Sequence, residues 1–316
     1  MVTRWKQTID RAEGKRKTLG FGEEAAYRLV DGEGDGVPAD LAIDVYGGRW
    51  LVLDPEPDPP PGLADELRRR GVDAWFKRVH AEAASVPQPL TGPEVPPPFL
   101  VREGEMSFEI RFDAGYSQGL FLDQRDNRAE VFRRVWKGRT GGRVLNLFSY
   151  TCGFSVAAAR AGAQVTSVDL SAGYLEWGRE NFRHNGLDPS DHYFLREDAA
   201  SALAFFRKRG FQFDGVVIDP PTFSRSKKSG VWRLEKDLPE LVAAAAGVLA
   251  PEGWMMVSAN CRSLANFRFG KMVESGLLAA RRHCDFHWPE MPKDFTGDPY
   301  LHCVWVDPRA TLSPVQ

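Results

Sequence analysis

The sequence predicts an α/β protein whose main domain is a doubly wound parallel sheet, preceded by a small α+β domain. From residue 143 onward, short apolar segments alternate with helical segments, which is the pattern of a parallel sheet with right-handed crossovers. Acidic or small polar residues recur near the ends of the predicted strands, at Asn146, Asp169, Asp198 and Asp219. Because ligands of doubly wound sheets bind at the carboxyl ends of the strands, we expect a ligand site along this edge.

The composition is that of a globular chain without a membrane span. A length of 316 residues predicts about two domains, and an apolar fraction of 43% is ordinary for a globular protein. No apolar run approaches the roughly 18 residues of a membrane helix, and the first residues lack the apolar core of a signal peptide. We therefore expect a cytoplasmic protein that does not bind membranes.

Charge and cysteine usage exclude several functional classes. A net charge of -2 argues against a dedicated nucleic-acid-binding module, although it allows an enzyme with a local basic patch. The four cysteines show no Cys-x-x-Cys spacing, so we expect a reducing compartment and no disulfide framework. His283, Cys284 and His287 lie close together but lack a fourth ligand, and we predict no metal site.

Residues 1–22 are predicted to be a basic N-terminal arm, in which six basic residues outnumber two acidic ones. The arm is either a solvated segment or a phosphate-contacting one. Residues 23–100 are predicted to form the small α+β domain and its linker, and residues 101–316 the main domain. The prolines between residues 87 and 98 mark the linker.

The small domain is predicted from short β-rich runs and turn residues. Strands are expected at 26–30, 41–45, 49–53 and 74–79, with a helix at 63–70 that is ended by Gly71.

A loop that leads into a helix near Asp123 follows a predicted strand at 106–112. Aromatic residues, glycines and the cluster of Asp123, Gln124 and Arg125 make this loop, which includes Tyr116, a candidate ligand lid. The alternative is an ordinary helix entry with Asp123 as its cap.

The main domain alternates strand and helix. Strands are expected at 144–148, 165–169, 193–196, 215–219, 254–258, 285–288 and 301–306, and helices at 153–161, 172–185, 199–209, 238–249 and 267–281.

The turn after the first of these strands argues against a pyrophosphate ligand. A dinucleotide turn needs Gly-x-Gly-x-x-Gly for close backbone approach, and the segment from Asn146 to Gly153 contains one glycine. A nicotinamide-dependent dehydrogenase is therefore disfavoured. A ligand without phosphate tolerates Phe148, Ser149 and Tyr150 in this turn. S-adenosylmethionine (SAM) is such a ligand, and its ammonium and sulfonium groups suit an acidic rim.

Two strand-end acids complete the predicted cofactor site. Asp169, followed by Leu170, is placed to accept hydrogen bonds from both ribose hydroxyls. Asp198, followed by Ala199, is placed to accept one from the adenine amino group. Each acid has an alternative role as the cap of the helix that follows it.

The most specific motif is Asp219-Pro220-Pro221-Thr222-Phe223 at the end of an apolar strand. The prolines fix φ, so that Asp219 and the carbonyl of Pro220 can accept hydrogen bonds from a planar amide-like edge. Phe223 can stack on a base. Enzymes that methylate nitrogen use this arrangement to align a lone pair with the methyl group. The alternative is a rigid structural turn.

A basic run and one cysteine follow the motif. We predict that Arg225, Lys227 and Lys228 contact RNA phosphates, the alternative being a solvated face. Cys261 ends the next strand. It is either a small buried thiol or the nucleophile that methylation at a pyrimidine C5 requires.

Together these motifs resemble those of class I SAM-dependent methyltransferases. More narrowly, they resemble bacterial enzymes that methylate cytosine C5 or guanine N7 in 23S ribosomal RNA. Residues 24–36 are similar to the small domain of the cytosine group, and residues 119–125 to a segment that both groups share. Residues 146–151, 174–177 and 219–228 are more similar to the guanine group.

The resemblance implies a Rossmann-like sheet, SAM as cofactor and RNA as substrate, with 23S ribosomal RNA as the expected RNA. It places Gln124 and Arg125 near the amino-acid end of SAM, and Asp219, Pro220 and Phe223 against the target base. It favours guanine N7 as acceptor. The alternatives are a cytosine-C5 enzyme that uses Cys261, and a protein that binds SAM or RNA without catalysis. Both a monomer and a homodimer remain open.

Overall fold

The computed structural model describes residues 4–79, 86–94, 96–114, 117–138, 142–226 and 230–309. The chain forms two compact units. Unit 1 comprises Met1–Asp126 and Met291–Pro299, and unit 2 comprises Asn127–Glu290 and Tyr300–Gln316. Within the described part of the chain, no helix is both long and apolar enough to cross a membrane.

Unit 1 is built on a five-stranded sheet of order β1-β2-β3-β4-β5. Its strands pair antiparallel except β3 and β4, which are parallel. A separate hairpin, β6-β7, follows in the chain. The elements are α1 Arg4–Lys17, β1 Ala26–Asp31, β2 Ala42–Tyr46, β3 Arg49–Asp54, α2 Leu63–Arg70, β4 Ala74–Arg78, β5 Gln88–Pro89, β6 Phe99–Glu103 and β7 Met106–Ile110.

The N-terminal segment differs from the arm that its composition predicts, because residues 4–17 form helix α1. Trp5, Ile9 and Ala12 lie on one face of this helix and are buried in the core of unit 1. Arg16 is also buried, and its guanidinium donates two hydrogen bonds to the carboxylate of Asp35, of 2.9 and 2.7 Å. A narrow apolar stripe at helical spacing therefore fixes a segment that is mostly polar.

Unit 2 contains a seven-stranded sheet of order β10-β9-β8-β11-β14-β16-β15. Strands β10, β9, β8, β11 and β14 are parallel, and β16 and β15 complete the sheet by antiparallel pairing. The elements are α3 Arg125–Lys137, β8 Arg143–Leu147, α4 Gly153–Arg160, β9 Gln164–Asp169, α5 Ala172–His184, β10 Tyr193–Arg196, α6 Ala199–Lys208, β11 Phe213–Ile218, β12 Phe223–Ser226, β13 Gly230–Arg233, α7 Leu234–Ala246, β14 Leu249–Asn260, α8 Asn266–Ala279, β15 Cys284–His287 and β16 Leu301–Pro308.

The predicted α/β class is confirmed, and its physical origin is visible in the central strands. Val144, Leu145 and Leu147 of β8 are all buried, because helices cover both faces of a parallel sheet. Gly215 of β11 permits close packing, since a Cβ atom there would lie 2.3 Å from the ring of Trp254.

The segment after Asp219 contains two short strands that the sequence did not suggest. Strands β12 and β13 pair antiparallel, from Phe223 opposite Arg233 to Ser226 opposite Gly230. The predicted basic loop is therefore a hairpin in which Phe223 and Arg225 occupy strand β12.

Candidate active site

The sheet order of unit 2 brings the predicted strand-end residues to one edge. Strand β8 lies between β9 and β11, and β10 pairs with the other side of β9. These four strands are parallel, so their carboxyl ends share an edge. Asp169, Asp198 and Asp219 all lie there, as the alternation of strands and helices predicts.

The loop between β8 and α4 has an unusual backbone. Phe148, Tyr150 and Cys152 adopt left-handed conformations, with φ of 57°, 49° and 66°. A left-handed conformation costs a residue with a side chain roughly 1–2 kcal/mol. Strain of this kind persists only where the surrounding structure enforces it, and it is common at functional sites.

Hydrogen bonds hold this loop against strand β9. The backbone N–H of Ser149 donates to the carbonyl of Val168 at 3.0 Å, and the N–H of Cys152 donates to the carbonyl of Ser149 at 2.8 Å. Ser149 is buried, whereas Phe148 and Tyr150 are half-buried. Helix α4 begins directly after the loop, at Gly153.

Both carboxylate oxygens of Asp169 accept hydrogen bonds from backbone N–H groups. Its Oδ2 accepts from the N–H of Tyr150 at 2.9 Å, and its Oδ1 accepts from the N–H of Ser171 at 2.8 Å. Burial raises the pKa of Asp169 above its ordinary value. Each oxygen of a carboxylate has two lone pairs, so each can accept a second hydrogen bond. The cap of α5 is Ser171, whose Oγ accepts from the N–H of Tyr174, and Asp169 does not have that alternative role.

Asn146 lies in a buried polar network beneath the loop. Its Nδ2 donates to Ser155 Oγ at 2.9 Å, and Ser155 Oγ lies 2.8 Å from Ser167 Oγ. Asn146 Oδ1 is buried and has no hydrogen-bond partner among the residues that the structure describes. The network connects β8, α4 and β9 below the strand ends.

Asp198 has the capping role that was one of its two predicted functions. Its Oδ1 accepts from the N–H groups of Ala200 and Ser201, at 3.1 and 3.2 Å. Helix α6 begins at Ala199, which is buried. The second predicted role of Asp198, to accept a hydrogen bond from the adenine amino group, stays a prediction.

The Asp219 turn is fixed at several points. Ser258 Oγ, which is fully buried, donates to Asp219 Oδ1 at 2.6 Å. Trp232 Nε1 donates to the carbonyl of Pro221 at 2.8 Å. Thr222 Oγ1 donates to the carbonyl of Asn260 at 2.7 Å. Together these bonds hold the turn between β14 and the β12–β13 hairpin.

Aromatic rings lie beside this turn. The ring of Phe148 lies 5.8 Å from that of Trp232, at an interplanar angle of 46°. The side chains of Phe223 and Arg225, together with all of Tyr116, Lys227 and Lys228, lie outside the described residues, and their roles stay predictions.

Gln124 and Arg125 belong to unit 1, whose first stretch ends at Asp126 and so includes the first two residues of α3. Gln124 is buried in a short 3-10 turn. The guanidinium of Arg125 forms an ion pair with Asp294 and lies 4.8 Å from the ring centre of Phe21. Arg125 therefore has protein partners within unit 1, and its predicted contact with the cofactor stays a prediction.

Cys261 is buried among apolar residues at the end of β14. Its side chain is 9% exposed, and Sγ lies 3.4 Å from Ser263 Oγ. Nε2 of His302 donates to the backbone carbonyl of Cys261 at 2.9 Å.

Four residues near the site were not singled out from sequence. Ser258 and Trp232 fix the Asp219 turn, as described above. Gly178 and Asn181 of α5 lie against the β8–α4 loop. A glycine in the interior of a predicted helix is a signal of close packing that could have identified Gly178.

The order of the seven strands, with one acid at the end of β9 and another just after β10, fits the class I methyltransferase fold that the sequence motifs predict. The profile of the S-adenosylmethionine-dependent methyltransferase family matches residues 89–271. The chain belongs to this family, and its cofactor is SAM.

Named relatives agree with this assignment. The chain is 40% identical over 298 residues to ribosomal RNA large subunit methyltransferase K of Neisseria meningitidis serogroup B, covering 89% of this chain and 79% of that protein. It is 32% identical over 280 residues to ribosomal RNA large subunit methyltransferase I of Erwinia tasmaniensis, covering 83% and 67%. These matches confirm the predicted resemblance.

Solved structures give the same fold. SMU.776 in complex with SAH superposes with a TM-score of 0.83 at 29% identity, covering 97% of this chain and 81% of that one. A SAM-dependent methyltransferase from Agrobacterium tumefaciens superposes with a TM-score of 0.75 at 21% identity, covering 92% of each chain.

Proposed function

We propose that this enzyme methylates a base of large-subunit ribosomal RNA, with guanine N7 as the acceptor. The relatives named above are methyltransferases of that RNA. The observation that carries the choice of acceptor is the Asp219 turn, in which Ser258 orients a carboxylate at the end of β11.

The cofactor half of the site consists of residues at or just beyond the ends of β8, β9 and β10. Asp169 retains lone pairs for the two ribose hydroxyls, and the half-buried Asp198 lies at the end of the neighbouring strand. Leu170 is 41% exposed next to Asp169 and offers an apolar surface. Bound SAM supplies a methyl group on a positively charged sulfonium. This set of acids and apolar surface therefore fits an adenosine without phosphate.

The acceptor half recognises the base by hydrogen bonds and stacking. A guanine presents two neighbouring donors, N1–H and the N2 amino group, on its Watson–Crick edge. A carboxylate is complementary to such a pair of donors. A cytosine presents one amino group and two acceptors on the corresponding edge. The fixed carboxylate of Asp219 therefore favours guanine, while aromatic side chains beside the turn stack on the base.

Guanine N7 needs no general base, because its lone pair is already available for attack. Catalysis then consists of holding this lone pair in line with the methyl group. The rigid Asp219 turn holds the base so that its N7 lone pair keeps this alignment.

Replacing Asp219 tests this assignment. We expect Asp219→Ala to lower kcat by about 100-fold or more, because the base loses its orienting acceptor. We expect the Kd for SAM, measured by calorimetry, to stay within about threefold, since the cofactor residues lie on other strands. Full activity of Asp219→Ala on large-subunit ribosomal RNA would show that the turn does not hold the base.

Replacing Cys261 tests the cytosine-C5 alternative. That chemistry requires a thiolate to attack C6 of the pyrimidine. Cys261 is 9% exposed and packed in the apolar core of unit 2, which suits a structural thiol. We expect Cys261→Ala to keep activity within about threefold. A loss of methyl transfer with intact folding, seen by circular dichroism, would instead support the covalent route. Methyl transfer by the native enzyme would exclude the third alternative, a non-catalytic binding protein.

A further inference from the structure

We infer that Gly178 and Asn181 of helix α5 are positioning residues that hold the β8–α4 loop in the conformation required for SAM. We refer to these two residues as the α5 support. The inference rests on the proposed assignment of this loop to the cofactor.

The loop needs support from outside because its own backbone does not favour its conformation. Three of its residues, Phe148, Tyr150 and Cys152, are left-handed and none of them is a glycine. Without external contacts such a segment relaxes to right-handed or extended conformations. The loop would then lose the arrangement in which Tyr150 N–H faces Asp169.

Asn181 provides a hydrogen bond at the centre of the loop. Its side chain is fully buried, and Nδ2 donates to the carbonyl of Thr151 at 2.9 Å. Thr151 is itself buried and stands between two of the left-handed residues. Asp169 binds the N–H of the preceding residue, Tyr150. Two consecutive residues of the loop are thus held by different elements, Tyr150 by strand β9 and Thr151 by helix α5.

Gly178 sets the distance between α5 and the loop. A Cβ atom at this position would lie 2.4 Å from Cys152 Sγ and 3.0 Å from Cys152 Cβ. The distance to Sγ is shorter than a Cβ atom tolerates, and the distance to Cβ is tighter than most contacts, so a larger residue displaces Cys152 or the helix. Gly178 lies one turn before Asn181, so the close approach is what allows the Asn181 hydrogen bond.

The first test removes the hydrogen bond and compares it with a matched control. Asn185 is the buried C-cap residue of the same helix, and its Nδ2 donates to the backbone carbonyl of Asn181. Asn181→Leu and Asn185→Leu therefore both remove a buried hydrogen bond from a side-chain amide to a backbone carbonyl. We expect Asn181→Leu to raise the Kd and KM for SAM about tenfold, with kcat at saturating SAM within about threefold. For Asn185→Leu we expect a similar loss of thermal stability and a Kd within about twofold.

The second test uses compensation between two residues. Gly178→Ala should weaken SAM binding about tenfold, because the new methyl group pushes on Cys152. Cys152→Gly removes both atoms that the methyl group meets, and glycine adopts the φ of 66° readily. We expect the double variant Cys152→Gly/Gly178→Ala to recover most of the native affinity. This pair also keeps the inference testable if Asn181→Leu fails to fold.

The results separate this inference from the proposed cofactor site. Asp169→Ala serves as the reference, and loss of SAM binding in it supports the assignment of the loop. If Asp169→Ala loses SAM while Asn181→Leu matches Asn185→Leu, or the double variant is no better than Gly178→Ala, the α5 support is wrong. If Asp169→Ala binds SAM as the native enzyme does, the cofactor assignment fails and the inference fails with it.

Discussion

At the scale of single residues, Asp169 combines a structural and a proposed chemical role. Its two oxygens bind backbone N–H groups on either side, from Tyr150 and Ser171. The same oxygens keep lone pairs for ribose hydroxyls. A ligand that binds Asp169 therefore contacts the same carboxylate that holds the strained β8–α4 loop.

His192 is a half-buried residue whose protonation should affect the stability of unit 2. Its Nδ1 accepts a hydrogen bond from the N–H of Val165 at 3.1 Å, and its ring packs on Phe182. Burial lowers the pKa of His192 below its ordinary value of 6.5. A protonated Nδ1 has no lone pair with which to accept this bond.

We predict that His192 lowers stability as the pH falls below about 6.5. In that range the unfolded chain binds a proton that the folded chain does not, so the free energy of unfolding decreases as the pH decreases. The drop in thermal midpoint between pH 8 and pH 5.5 should be smaller in His192→Gln than in the native protein. Equal drops in both proteins would contradict this origin.

At the scale of elements, helix α6 is preceded by a capping residue, Asp198, for which two functions are proposed. Asp198 caps the helix through Ala200 and Ser201, and it lies on the edge proposed to bind SAM. Asparagine is an equally good cap, whereas alanine is not.

Two substitutions at this position separate the functions. Asp198→Ala should lower the free energy of unfolding by about 1 kcal/mol through loss of the cap. Asp198→Asn should keep the cap, while the Kd for SAM rises about fivefold because an amide is a weaker acceptor than a carboxylate. Calorimetric titration with SAM and urea unfolding measure the two effects. An unchanged Kd for SAM in Asp198→Asn would leave capping as the sole role of the residue.

Helices and strands with a strong hydrophobic pattern could be predicted from the sequence, whereas those with a weak hydrophobic pattern could not. The apolar run from Val216 to Ile218 identifies the buried strand β11, and Asp169 identifies the end of β9. Helix α1 was missed because its buried stripe is narrow within a polar sequence. The β12–β13 hairpin was missed because a basic run resembles a solvated loop.

The backbone conformation of the strained loop could not be predicted from the sequence, and the reason is physical. Left-handed conformations are expected of glycine, and here Phe148, Tyr150 and Cys152 adopt them. Their conformations follow from tertiary contacts with α5 and β9, which no local preference encodes.

At the scale of the whole molecule, the sequence predicts the parallel sheet better than it predicts the division into units. The alternation of strands and helices predicts parallel central strands, and β10, β9, β8, β11 and β14 are parallel in the structure. Residues 291–299, by contrast, return to unit 1. There the fully buried Asp294 accepts from the N–H of Arg28 at 2.9 Å and pairs with Arg125. Contacts across so many residues leave no local signal, and the predicted boundary near residue 100 stays a proposal.

The most direct test of the central claim is to map the methylated nucleotide. Unmethylated large-subunit ribosomal RNA would be incubated with labelled SAM and either the native enzyme or Asp219→Ala, then digested and resolved by mass spectrometry. We predict label in 7-methylguanine with the native enzyme and at least about 100-fold less with Asp219→Ala. Label in 5-methylcytosine that disappears in Cys261→Ala, or undiminished label with Asp219→Ala, would contradict the proposed function.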